Sequence, residues 1–157
     1  MSVSLNPQIS AQPFTYGNVQ TSSAVMATNT TLFRTTGDIL VFAILAECYT
    51  ANNATASTFQ YSVTNNSTAA SQTMTGASAS LASAPIGTSV IAQLGALANA
   101  PTVTTASGVG VFPWGAVRIP GNSSITITVG VGSTTGTWKH YIHFQQLEDG
   151  ASVVAAF

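Results

Sequence analysis

The run Ile39–Tyr49, ILVFAILAECY, constrains this chain most, because it is almost continuously apolar. A stretch of that length must be a strand or a helix hidden in a core, and its β-branched and aromatic residues favour a strand. Read as a strand, it is expected to be buried on both faces. Two later runs alternate instead. In Ser124–Val131 the residues Ile125, Ile127, Val129 and Val131 share one side. In Thr137–Leu147, Trp138, His140, Ile142, Phe144 and Gln146 share one side, and Lys139, Tyr141, His143, Gln145 and Leu147 share the other. Side chains alternate along a strand, so such runs bury one face and wet the other.

Shorter runs read the same way. Val25–Phe33, Thr58–Thr64, Ser71–Thr75, Thr102–Thr105, Val109–Phe112, Ala116–Ile119 and Ser152–Phe157 are strand candidates. Turn signals separate them: Thr36-Gly37-Asp38, Asn65-Asn66-Ser67, Pro120-Gly121-Asn122, Ser133–Gly136 and Glu148-Asp149-Gly150. Ala77–Ala100 has no single period. Pro85, Gly87 and Gly95 interrupt any helix there, so strand–turn–strand is expected. Many short strands in 157 residues predict an all-β fold. The specific expectation is a single-domain antiparallel β-sandwich of jelly-roll type. No fixed period supports a solenoid. Residues 1–20 contain Pro7, Pro13 and Gly17 and read as an extended N-terminal arm, with the β domain spanning 21–157.

Charge narrows the function. Only 4% of the residues are charged, with 3 basic and 4 acidic, for a net charge of −1. Three basic residues cannot neutralise a run of phosphates, which argues against nucleic acid and against anionic membranes as partners. No stretch approaches the ~20 apolar residues of a membrane-spanning helix, and Met1–Ser10 carries no basic, then apolar, secretory pattern. Weak charge repulsion favours association, which points to a protein that works assembled.

Chemistry is sparse. The acids are Asp38, Glu47, Glu148 and Asp149, and no Gly-x-Ser-x-Gly elbow is present. Abundant serines do not make a nucleophile without a base and an orienting acid. No catalytic residue is assigned and no enzymatic activity is expected. His140 and His143 are three apart, so on a strand they point to opposite faces and cannot share an ion within one chain. No metal site and no cofactor are expected. Cys48 is the only cysteine and reads as a small buried hydrophobe. Gly108-Val109-Gly110 and Gly130-Val131-Gly132 open no helix and precede no Walker lysine, so they read as strand glycines. The Asn-x-Ser/Thr sequons at Asn29, Asn53, Asn66 and Asn122 carry no weight in a chain so rich in Ser and Thr. Thr102-x-Thr104 and Thr126-x-Thr128 lack the repeating scaffold an ice-binding face requires. Aromatic residues make good interface anchors, which leaves Phe14, Tyr16, Phe112 and Trp114 as candidate partner contacts.

Two parts of the chain resemble a known group. The run Val129–Tyr141 (VGVGSTTGTWKHY), closing with Gln146–Ala151 (QLEDGA), is similar to small structural proteins of tailed bacteriophages. Phe59–Thr64 and Thr75–Leu81 resemble the same group, so the likeness covers about two-thirds of the chain and excludes the arm. The resemblance implies a head decoration, or cement, protein. It further implies a β-rich fold, a homotrimer, the major capsid protein as partner, and a place on the outer capsid surface of a virion assembled in the host cytoplasm. It carries over no catalytic or metal residue. The rival reading is a carbohydrate-binding or adhesin module, such as a phage tail-fibre or baseplate component, with Trp114 or Tyr141 stacking on sugars.

Overall fold

The structure is a computed structural model that describes residues 16–21, 24–25, 29–104 and 115–157; of Tyr16, Ala24 and Val25 only the backbone is described. Among these residues the chain forms strands and turns and no helix. In chain order the strands are β1 (Tyr16–Gln20), β2 (Ala24–Val25), β3 (Thr30–Thr35), β4 (Ile39–Thr50), β5 (Phe59–Asn65) and β6 (Ala70–Thr73). The second half holds β7 (Ser89–Ile91), β8 (Thr102–Thr104), β9 (Val117–Ile119), β10 (Ser123–Val129), β11 (Thr137–Gln146) and β12 (Val153–Ala155).

They make two antiparallel sheets. The larger, sheet A, runs β1-β11-β4-β7-β8, with β2 also on β11 and β9 also on β4; sheet B runs β12-β3-β10-β5-β6. Pairing is nested. β3 pairs β12 in sheet B, β4 pairs β11 in sheet A, and β5 pairs β10 in sheet B. A two-stranded ribbon wound alternately between two sheets in this way is a jelly-roll arrangement. The expected β-sandwich is therefore present.

The long apolar run departs from expectation. β4 buries Ile39, Val41, Ile44, Ala46 and Cys48, while Leu40, Phe42 and Leu45 are only partly buried. Its register with β11 slips between His143 and Phe144, which face Ala43 and Val41. Phe42 is the extra residue of this bulge, so Val41 and Ile44 both reach the core. An apolar run thus lies on a sheet with one core face and one outer face. The Ala77–Ala100 section yields only β7; turns hold the rest, where Pro85 and Gly87 break regular pairing. Val109–Phe112, the remaining strand candidate, lies outside the described residues.

Aromatic rings join the sheets. Phe59 from sheet B meets Trp138 and His140 from sheet A edge-on, with centroids 5.5 Å and 5.9 Å apart, and Tyr61 at 5.7 Å. Around them pack Leu32, Phe33, Ile125, Ile142 and Phe144. At one end Trp138 Nε1–H donates to Asn52 Oδ1 (3.0 Å), and Asn52 Nδ2 donates to the Leu81 carbonyl (3.0 Å). Gly136 makes that approach possible. Its φ is +91°, and a Cβ there would stand 1.8 Å from Asn52 Oδ1.

Candidate interaction surfaces

Strand parity sorts the histidines as the sequence requires. His140 is buried and His143 is exposed. The Tyr61 hydroxyl and His140 Nδ1 lie 3.1 Å apart, a polar bond across the core between the sheets. Burial pushes His140 down to about 3, because the charged ring would lose its water. Burial likewise pushes the Tyr61 phenol up. His140 N–H donates to Thr21 Oγ1 (3.0 Å), and Thr21 N–H donates to the His140 carbonyl (2.9 Å), so β11 holds the residue that follows β1. Cys48 is buried, with Sγ 3.2 Å from the Thr50 carbonyl, and desolvation raises its thiol.

The acids separate into two places. Asp38 N–H donates to Glu148 Oε2 at 3.0 Å, and the Asp38 carboxylate accepts Gly121 N–H (2.9 Å) and pairs with Arg118. The Gly121 amide, with Arg118 beside it, holds the Asp38 carboxyl below its usual range. This carboxylate ties the β3–β4 turn to the β9–β10 turn, so it is engaged structurally. Glu47 lies elsewhere, on the outer side of sheet A opposite Lys139. Among the described residues no three of His, Cys, Asp and Glu gather in metal-holding geometry.

The two outer walls differ in chemistry. On sheet A, Leu40, Phe42 and Leu45 are half-buried and Tyr49 is 55% exposed. Lys139 Nζ sits 4.1 Å from the Tyr49 ring centroid. The Tyr141 hydroxyl donates to Glu47 Oε2 (3.4 Å); burial first, then the Glu47 charge, raises the Tyr141 phenol. On sheet B the outward rows are mainly hydroxyls, and Arg34 and the exposed Val154 continue the first row onto β3 and β12. Ser124, Thr64 and Ser71 form one row; Thr126, Ser62 and Thr73 form the next. Thr64 and Ser71 hydroxyls are 2.7 Å apart.

Of the residues singled out as partner contacts, Phe14, Phe112 and Trp114 lie outside the described residues. Tyr16 stands in β1 at the edge of sheet A, opposite Gln145. Residues 16–20, the end of the expected arm, are thus hydrogen-bonded to β11, and Val19 packs against the core. The sheet A wall was not singled out from sequence. Its signal was available in the excess of apolar residues in β4 over what one buried face can use.

No protein-family model matches the sequence, and no curated protein matches it. Among solved structures, the chain is similar to one from the cyanophage Pam1 capsid asymmetric unit. Identity is 19%, the alignment covers 83% of this chain and 81% of that one, and the TM-score is 0.34. A likeness of this size leaves function to be argued from the chain's own residues.

Proposed function

We propose that this protein is a non-enzymatic structural component of a phage capsid, a decoration or cement protein that braces coat subunits on the outer head surface. The observation that carries the reading is the unequal pair of walls. The sheet B wall is mainly hydroxyls suited to water, with Arg34 and Val154 at its β3–β12 side. The sheet A wall leaves Leu40 and Leu45 partly exposed and Tyr49 55% exposed, and apolar area of that kind gains by being covered. The bacteriophage resemblance of Val129–Tyr141 and Gln146–Ala151 supports the same reading.

In this mechanism a homotrimer touches several copies of the major capsid protein at once. Effective concentration then raises avidity without strong single contacts. Glu47 and Lys139 on the wall are opposite in sign, so the contact is only weakly sensitive to salt. Residues 1–15 are proposed to add reach, since 15 residues drawn out fully would span up to ~50 Å. The test is co-sedimentation with phage heads stripped of the protein, using the full chain and a chain lacking residues 1–15. The full chain is expected to co-sediment nearly equally at low and high salt, and the truncated chain more weakly. Absence of co-sedimentation by the full chain refutes the reading.

A second reading draws on one feature. Tyr49, with Lys139 over its ring and Glu47 beside Tyr141, is an aromatic and charged cluster of the type that stacks on sugars. A glycan array tests it, and Tyr49→Ala abolishes any signal that arises there.

A further inference from the structure

The free edge of β6 is built to pair with itself. Met74 N–H donates to the Tyr61 carbonyl at 2.9 Å, and Tyr61 and Met74 continue the β5–β6 register of Ser62↔Thr73 and Val63↔Gln72. Hydrogen-bonded and non-hydrogen-bonded pairs alternate in an antiparallel ladder. Gln72 and Ala70 therefore turn their backbone groups towards β5, and Ser71 and Thr73 turn theirs away from it. β6 ends its sheet, and among the described residues no strand pairs its other side.

The strand carries no charge and no proline; it is four residues long, and the bulge in which Met74 and Thr75 N–H both donate to the Tyr61 carbonyl lies just beyond it. Its sequence is Ala-Ser-Gln-Thr, and Ala70, Ser71 and Gln72 are exposed. Two other edges differ. β12 lies against β1 of the other sheet, and β8 follows directly on Pro101.

We propose that β6 pairs antiparallel with β6 of a second copy about a two-fold axis through Gln72, joining the two B sheets. The register follows from the outward groups. Ser71 faces Thr73 of the second copy and Thr73 faces its Ser71, each pair exchanging both N–H···O bonds. The Thr73 carbonyl already accepts Gln72 Nε2 at 3.1 Å and has a second lone pair for this bond. Gln72 meets its own copy in a non-hydrogen-bonded pair, with Cα atoms about 4.5 Å apart. No charge on the strand opposes the contact. Isologous pairing of this kind is closed at each edge, so one β6 joins one other β6, and in the proposed homotrimer it links one trimer to another. The inference is independent of the capsid reading.

Cysteine trapping reads the register directly. Two cysteines replacing Gln72 fall within disulfide range, whereas Ala70 lies about 14 Å from its own copy in this pairing. Under mild oxidation the full chain carrying Gln72→Cys is expected to form covalent dimers at least about tenfold faster than Ala70→Cys. The native Cys48 is buried and does not compete. Equal rates overturn the proposal, as they would if residues 1–15 of a neighbour occupied this edge. Sedimentation equilibrium of the unoxidised chain supplies a second measure. Like charges directly opposite repel, so Gln72→Lys and Gln72→Glu are each expected to halve the mass found at high concentration. An equimolar mixture of the two is expected to restore it. A mass unchanged in both variants overturns the proposal.

Discussion

The outer wall of sheet A and the outer wall of sheet B are built on the same alternation and end with opposite surfaces. In sheet B, Thr126 and Thr128 alternate with Ile125 and Ile127, so core and solvent sides are cleanly divided. In sheet A the division fails at β4. Its outward positions hold Leu40, Phe42 and Leu45, and Tyr49 stays 55% exposed with Lys139 over its ring. The contrast teaches that fold and partner make separate demands on a strand. The inward residues satisfy the fold in both sheets. The apolar outward residues of sheet A exceed that need, whereas in sheet B only Val154 at the edge does so and hydroxyls hold the middle.

The widest break in the comparison would be to show that the walls do not share one core. Phe59 belongs to sheet B and touches Trp138 and His140 of sheet A. Phe59→Ala is expected to cost about 3–5 kcal/mol of stability, with a single transition in denaturant. Two separate transitions would mean that the sheets fold independently.

Acid separates the walls more gently. The folded His140 titrates near 3, below its ordinary 6.5, so the unfolded chain takes up its proton first. The contribution is complete above pH 6.5 and is lost as pH falls towards 3. Between pH 6 and 4.5, above most carboxylates, stability is expected to fall by about 2 kcal/mol. Urea midpoints across that range measure it, and His140→Gln should flatten the slope. An unchanged slope in the variant would assign the acid response to other groups.

A charge placed on each wall sharpens the contrast. Leu45→Asp is expected to weaken head binding at least about tenfold, since an unpaired carboxylate resists burial at a contact. Thr126→Asp on sheet B should leave binding within about twofold, as a solvated charge costs little. Equal effects would remove the distinction between the walls. Circular dichroism of both variants checks that they fold.

The smallest effect concerns the rim of sheet B. Ser123 is fully buried and its Oγ has no hydrogen-bond partner among the described residues. Ser123→Ala is expected to stabilise the protein by about 1 kcal/mol, measured as a raised denaturation midpoint. Destabilisation would show that the hydroxyl is satisfied.

Most strands were legible because the period of two is local. Thr137–Leu147 sorted its residues correctly, down to His140 inside and His143 outside. The error in Ile39–Tyr49 has a local reason too. Apolar character states that a side chain prefers cover, without stating whether the cover is core or partner. The bulge at Phe42 was invisible, because it exists only in the register between β4 and β11. The candidate surface was legible in part. The excess of apolar residues in β4 stands in the sequence, whereas the gathering of Tyr49, Lys139, Glu47 and Tyr141 depends on which strands become neighbours.

By itself the sequence determined the all-β class, the inward sets of β10 and β11 and the poverty of charge that argues against phosphate-rich partners. All three follow from residue type and spacing along the chain. Only the tertiary structure decided the nested pairing, the bond from Tyr61 to His140 across the core, the tie of Asp38 to the β9–β10 turn and the free edge at β6. Each joins residues far apart in the chain. Such pairings are set by which sheets pack and in what register, and alternation within a strand carries no information about its neighbour.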